Sequence, residues 1–91
     1  MRSYKRRMIT SEQIKGARAM LGLTQAELAE RSGLSKTGLI NIENGSSDPK
    51  ASTLRAIQSA LEAAGIEFTN GGQPGVKLKF GTAAPGAREK P

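Results

Sequence analysis

The stretch "TQAELAERSGLSKTGLINIENG", residues 24–45, leaves the backbone few choices. "TQAE" is a capping box: the Thr24 hydroxyl can accept from the amide three residues on, and Glu27 can reach back to the Thr24 amide. A helix therefore begins at Gln25 and runs to about residue 31. Gly33 supplies the positive φ that ends it. Ser35 caps again almost at once, so a second helix runs from Lys36 to about residue 44, closed by Gly45. Only "SGLS" separates the two, and so short a link forces a sharp crossing and a rigid pair.

The flanks extend this frame. "TSEQ", residues 10–13, is another capping box, and the helix it opens runs to about residue 21, where Gly22 stops it. Ile14, Ala17 and Leu21 fall on one face of that helix. After "GSSDPK", whose Pro49 cannot continue the preceding helix, a fourth helix is expected from about residue 51 to 64, with Leu54, Ile57, Leu61 and Ala64 at helical spacing. The pattern then changes period. "IEFT" (66–69) and "VKLKF" (76–80) alternate apolar and polar around the turn formers "NGGQPG", which reads as strand, turn, strand. The expected fold is mainly α: a compact bundle of about four helices containing the helix–turn–helix, followed by a short C-terminal β-strand pair. The expected organisation is a basic N-terminal arm (1–9), the helical domain (10–65), a hairpin segment (66–80) and a flexible tail (81–91).

In the third helix Leu34, Gly38, Leu39 and Ile42 are expected to pack inward. Lys36, Thr37, Ile40, Asn41 and Asn44 share the opposite face. That face is polar but nearly uncharged, unlike an ordinary solvated face rich in Glu and Lys. Lys, Thr and Asn suit base edges in a DNA major groove: Lys to guanine O6/N7, Asn to adenine N6/N7, Thr to either or to a thymine methyl. Ile40 could touch a thymine methyl or cover a neighbouring loop. Gln25 and Ser35 stand at helix N-termini, where free amides and the positive dipole end collect anions, and Ser46 offers donors beyond the third helix. Phosphate contacts are therefore expected from Gln25, Ser35, Asn44 and Ser46, and base contacts from Lys36, Thr37, Ile40 and Asn41.

Charge agrees. The chain carries 14 Lys+Arg against 8 Asp+Glu, net +6, which suits a polyanionic partner, although basic charge can also serve solubility alone. With no Cys, disulfides, thiol catalysis and cysteine zinc sites are excluded, and with no His other soft-metal sites are not expected. No phosphate loop of the GxxxxGK[ST] kind and no acid/base carboxylate couple is present, so no enzyme activity, metal or cofactor is expected. No apolar run approaches the ~20 residues of a membrane span, and "MRSYKRRMIT" lacks the apolar core of a signal peptide. A cytoplasmic protein is expected. Arg2, Lys5, Arg6 and Arg7 could lie along phosphates or in a minor groove, or form a solvated terminus.

These motifs together, "LGLTQAELA", the "SGLS" turn, and "IENG" followed by a proline and "TL", resemble the helix-turn-helix domain of the Cro/CI (XRE) family of bacterial and phage repressors over residues 10–64. The resemblance implies a bundle of four or five helices that commonly binds DNA as a dimer. It implies base contacts at Lys36, Thr37 and Asn41, a phosphate contact at Gln25 that helps orient the recognition helix, and a backbone contact at Asn44. Two departures stand out: Gly38 where relatives carry a small polar residue, and Lys50 where relatives often have a capping Ser.

Arg18 follows Ile14 by one turn on the apolar stripe, and a buried guanidinium needs a partner. Glu43, next to inward-facing Ile42, is the expected partner, and the resemblance points the same way. The strands raise a separate question, because an isolated hairpin is marginal in water. Ile66, Phe68, Val76 and Leu78 need cover, either from the fourth helix or from a second chain. The expectation is a homodimer held through this segment. The function expected is sequence-specific binding of double-stranded DNA by a dimeric transcriptional regulator. The alternative is an antitoxin or adaptor using the fold mainly to hold a protein partner.

Overall fold

A computed structural model describes residues 9–69 and 75–79. Within them run α1 (Ser11–Leu21), α2 (Gln25–Ser32), α3 (Lys36–Glu43), α4 (Ala51–Ala63), β1 (Ile66–Thr69) and β2 (Gly75–Leu78). The fold is the expected mainly α bundle with an antiparallel strand pair. The basic arm to residue 8, the turn formers at 70–74, Phe80 and the tail lie outside the described residues.

Both capping boxes form. Thr10 Oγ1 accepts from Gln13 N at 3.1 Å while Gln13 Oε1 accepts from Thr10 N at 2.9 Å. Thr24 Oγ1 accepts from Glu27 N at 3.0 Å while Glu27 Oε1 accepts from Thr24 N at 2.8 Å. Gly22 and Gly33 take φ of 71° and 76° and end the first two helices. α4 is the exception: Lys50 stands at its N-cap and makes no side-chain capping bond.

The Thr24 amide and hydroxyl hold the Glu27 carboxyl below the usual carboxylate range. A depressed folded value means the stabilisation is fully present above the ordinary carboxylate pKa and disappears as pH falls through the lowered value. Glu27→Gln should therefore lower the melting temperature slightly near neutrality, where the carboxylate's contribution is fully present, and flatten that part of the pH dependence, so that the two proteins converge in acid. An unaltered acid limb in the variant would show that the carboxylate contributes nothing there.

Each helix and β1 contributes at least one fully buried side chain: Ile14, Leu28, Leu39, Ile57, Leu61 and Ile66. Burying each stabilises the fold by about 1.5–3 kcal/mol relative to exposure. Ile9 also joins this core at 4% exposure, so the last residue of the expected arm is part of the packed domain.

The strands pair within the chain, in the register Ile66↔Leu78, Glu67↔Lys77, Phe68↔Val76 and Thr69↔Gly75. Alternation then places Ile66, Phe68, Val76 and Leu78 on one face. That face covers the core: Phe68, Val76 and Leu78 pack against it half-buried, and Ile66 is inside it. The hairpin is also tied to α1. The Gln13 side chain, 3% exposed, donates from Nε2 to Gly75 O at 2.9 Å and lies 3.5 Å from Thr69 O. One expectation is corrected here. Ile66 has no exposed surface, so its side chain is core within its own chain and cannot serve as a dimer contact. The cover it needs comes from its own domain.

Candidate nucleic-acid interface

The orientation of α3 is set from three sides through one carboxylate. Glu43 is 3% exposed, on the inward face of α3. Its Oε2 accepts from Arg18 Nε at 2.9 Å and its Oε1 accepts from Arg18 Nη2 at 3.2 Å. This is a two-pronged guanidinium–carboxylate pair, stronger and more directional than a point-charge contact. Arg18 Nη1 also donates to Leu23 O at 3.1 Å, binding the link between α1 and α2. Gln25 Nε2, from the first turn of α2, donates to the same Oε1 at 2.9 Å. One carboxylate thus joins α1, α2 and α3.

The arrangement also decides the charge of the outer face. Lys36 and Glu43 are the only charged residues of α3. Glu43 is turned inward and neutralised by Arg18, so the outward face carries a single positive charge. Lys36, Thr37 and Asn44 are exposed there, and Ile40 and Asn41 are half-buried at its margin. Gly38 differs from expectation. It is half-buried rather than core, and opens on a surface cleft that Asn41, Pro49 and Thr53 also line. Its amide donates to the capping Ser35 Oγ at 3.0 Å, and a Cβ at this position would lie 3.1 Å from that oxygen. A glycine at 38 leaves room for the cap.

The four residues expected at phosphates are placed differently. Gln25 uses one amide hydrogen on Glu43 and keeps a second. Ser35 Oγ accepts from Gly38, which leaves its hydroxyl proton to donate. Asn44 Oδ1 accepts from Ser46 N at 2.9 Å, which leaves its NH2 group to donate. Ser46 does not fit the expectation. Its amide donates to Asn41 O at 2.9 Å as well as to Asn44, and its hydroxyl leans on Asn41 Oδ1 at 3.3 Å and Asn41 O at 3.4 Å. Both donors are engaged inside the protein, because Gly45, at φ 80°, folds the chain back over the end of α3. The Gln25–Glu43 and Ser46–Asn41 bonds had no sequence signal of their own.

Among the described residues, no three His, Cys, Asp or Glu side chains gather as a metal site, and no helix is long and apolar enough to cross a membrane.

Comparison with known proteins agrees with this geometry. The chain is 41% identical over 54 residues to an immunity repressor protein of Bacillus phage phi105, a match covering 59% of this chain and 38% of the repressor. The chain thus spans well under half the length of that relative. Its structure resembles the crystal structure of a mutant of the restriction-modification controller protein C.Esp1396I, with TM-score 0.55 and 36% identity over 57% of this chain and 68% of the other. The family model described as "Helix-turn-helix" matches residues 14–65, which takes in α1 from its fourth residue, all of α2 to α4, the Arg18–Glu43 pair and the outward face of α3. That match covers more than half of the chain, and the protein belongs to the helix-turn-helix family of DNA-binding regulators, of the Cro/CI type.

Proposed function

We propose that this chain is a sequence-specific, double-stranded-DNA-binding transcriptional regulator that inserts α3 into the major groove and acts as a homodimer. The observation that carries this reading is the outward face of α3. It is polar, bears one positive charge, and has its only carboxylate turned inward onto Arg18. A carboxylate facing outward would repel the phosphates on both sides of the groove. Lys36 and Thr37 at the first turn and Asn41 one turn later read base edges, with Ile40 beside them. Gln25, Ser35 and Asn44 offer their remaining donors to phosphate, at both ends of the helix pair. The repressor and controller-protein relatives support the same reading. Each half of a dimer would read one half-site, with half-sites about one helical turn, roughly 34 Å, apart. The half-buried Phe68, Val76 and Leu78 of the hairpin are the proposed dimer contacts, without Ile66.

Selection from a random DNA pool at near-physiological salt tests the proposal. The expected result is an enriched palindrome. Purely salt-dependent binding with no enriched sequence would refute it. Lys36→Ala should weaken binding to the selected site by about 1–3 kcal/mol and relax preference at one base pair per half-site. Equal weakening on all sequences would make Lys36 a phosphate contact instead. A protein that sediments as a monomer at micromolar concentration, free and on the palindrome, would remove the dimer from the proposal.

A further inference from the structure

A buried side chain of α1 clamps the hairpin. Gln13 is 3% exposed, and its partners decide which way its amide points. Oε1 meets a donor, Thr10 N, at 2.9 Å. Nε2 meets two acceptors, Gly75 O at 2.9 Å and Thr69 O at 3.5 Å. Thr69 and Gly75 form the strand pair farthest along β1 from α4. The other end of the hairpin is held differently: Ile66 is core, and Lys79 N donates to Gly65 O at 2.7 Å. The apolar face of the hairpin resists lifting off the core, but apolar packing is non-directional and resists sideways swinging less. A hydrogen bond is directional and fixes the angle at which the strands cross α1.

The same helix holds the recognition helix. Arg18, which grips Glu43 of α3, lies in α1 about 7.5 Å along the axis from Gln13. Hairpin, α1 and α3 are thus joined in series by two polar contacts. In a symmetric dimer held through the hairpins, any swing at the Gln13 joint is made twice, once in each protomer. Moving one half-site by a base pair shifts it by roughly 3.4 Å and turns it by about 35°, which a stiff joint cannot follow. We propose that Gln13 is a positioning residue that locks the hairpin to α1 and so sets the half-site spacing the dimer accepts. This rests on the reading of the protein as a dimer through its hairpin and adds a spacing specificity to it. Gln13 touches no DNA; it acts through α1.

The experiment measures binding of the full chain to the selected palindrome and to the same palindrome with one central base pair added or removed. The wild type should lose about a hundredfold or more in affinity at either altered spacing, because only one half-site then engages. Gln13→Glu keeps an acceptor for Thr10 N but has no donor for Gly75 O, and Gln13→Met has neither. In both, the loss at altered spacing should shrink to about tenfold or less, while base preference and binding to a single half-site stay the same. Thr10→Ala is the control for stability alone. It removes the capping hydroxyl and should lower the melting temperature, yet it leaves Thr10 N and the hairpin carbonyls on Gln13, so the spacing requirement should hold. Gly75→Ala approaches the joint from the other side. A Cβ there would lie 2.9 Å from Thr69 Oγ1, so the last strand pair must shift, and spacing should relax as in Gln13→Met.

A folded Gln13→Met or Gln13→Glu protein that keeps the full penalty for altered spacing overturns the proposal. So does a Thr10→Ala variant that relaxes spacing as far, since loss of stability would then be the cause. If neither Gln13 variant folds, Gly75→Ala decides, and a retained penalty there overturns the proposal. In all three cases α3 remains a reader and the dimer stands. A wild type that binds as a monomer, or that ignores spacing, removes the hairpin dimer and the proposal together. If no sequence is enriched from the random pool, the functional reading itself fails.

Discussion

Arg18→Ala should lower the stability of this domain by about 3 kcal/mol, the cost of breaking a buried pair by removing one partner. For a domain of this size that is a fall in melting temperature of roughly 12–24 °C. The cause is the charge left behind. Glu43 is 3% exposed and would keep only Gln25 as a side-chain donor. Arg18 itself is 24% exposed, so water entering its place softens the penalty and keeps it at the lower end of the roughly 3–5 kcal/mol typical of breaking a buried pair. Arg18→Lys should recover only part of the loss, because an ammonium cannot reproduce the two-pronged contact or the bond to Leu23 O. Replacing both partners with apolar residues, Arg18→Met with Glu43→Leu, should recover most of it, since no unpaired charge is then buried. A double-mutant cycle measures the coupling directly. Single variants with unchanged melting temperatures would show that the pair does not hold the fold. On DNA, Arg18→Ala should weaken all sites in proportion and leave base preference intact, because the guanidinium faces Glu43 and the α1–α2 link rather than the groove.

The second large effect is expected at Ile66. Ile66→Ala removes a fully buried side chain of β1 and should cost about 2–5 kcal/mol, according to how far the site can collapse. The reason for choosing this residue is that it separates two roles for the hairpin. A core residue destabilises by the same amount at low and high protein concentration. A residue at a dimer interface makes the melting temperature depend on concentration. Ile66→Ala should show the first behaviour. Phe68→Ala, at a half-buried position, should cost less in the monomer and weaken self-association if the hairpin forms the interface. A concentration-dependent loss at Ile66 would contradict its burial within one chain.

Helix boundaries were legible because they are local. Thr10, Thr24, Ser35, Gly22 and Gly33 each act on backbone groups within four residues, and no tertiary contact is needed to make a capping box or to admit a positive φ. The same locality placed Lys36, Thr37 and Asn44 together on one face of α3, as a matter of helical periodicity. The strands were legible from their alternation.

What failed to show in the sequence was long-range. The inward side of Ile66 is the same under either source of cover, its own fourth helix or a second chain; only packing chose between them. Gln13 reads as a capping residue, and nothing local reveals that its other end holds Gly75 at the far side of the hairpin. Gly38 looked like an inward residue because helical spacing cannot tell a core from a surface cleft at a helix edge.

By itself the sequence determined where each helix starts and stops, which residues share the outward face of α3, and that this face would be polar and almost free of charge. The tertiary structure alone decided how that face is held and what it can offer. Residues 18, 25 and 43 meet only when α1, α2 and α3 pack, and the strands are claimed by their own core. Hydrogen bonding within a turn is set by neighbours along the chain. The pairing of a buried charge, and the availability of an amide to a ligand, are set by whatever else the fold brings within 3 Å or so.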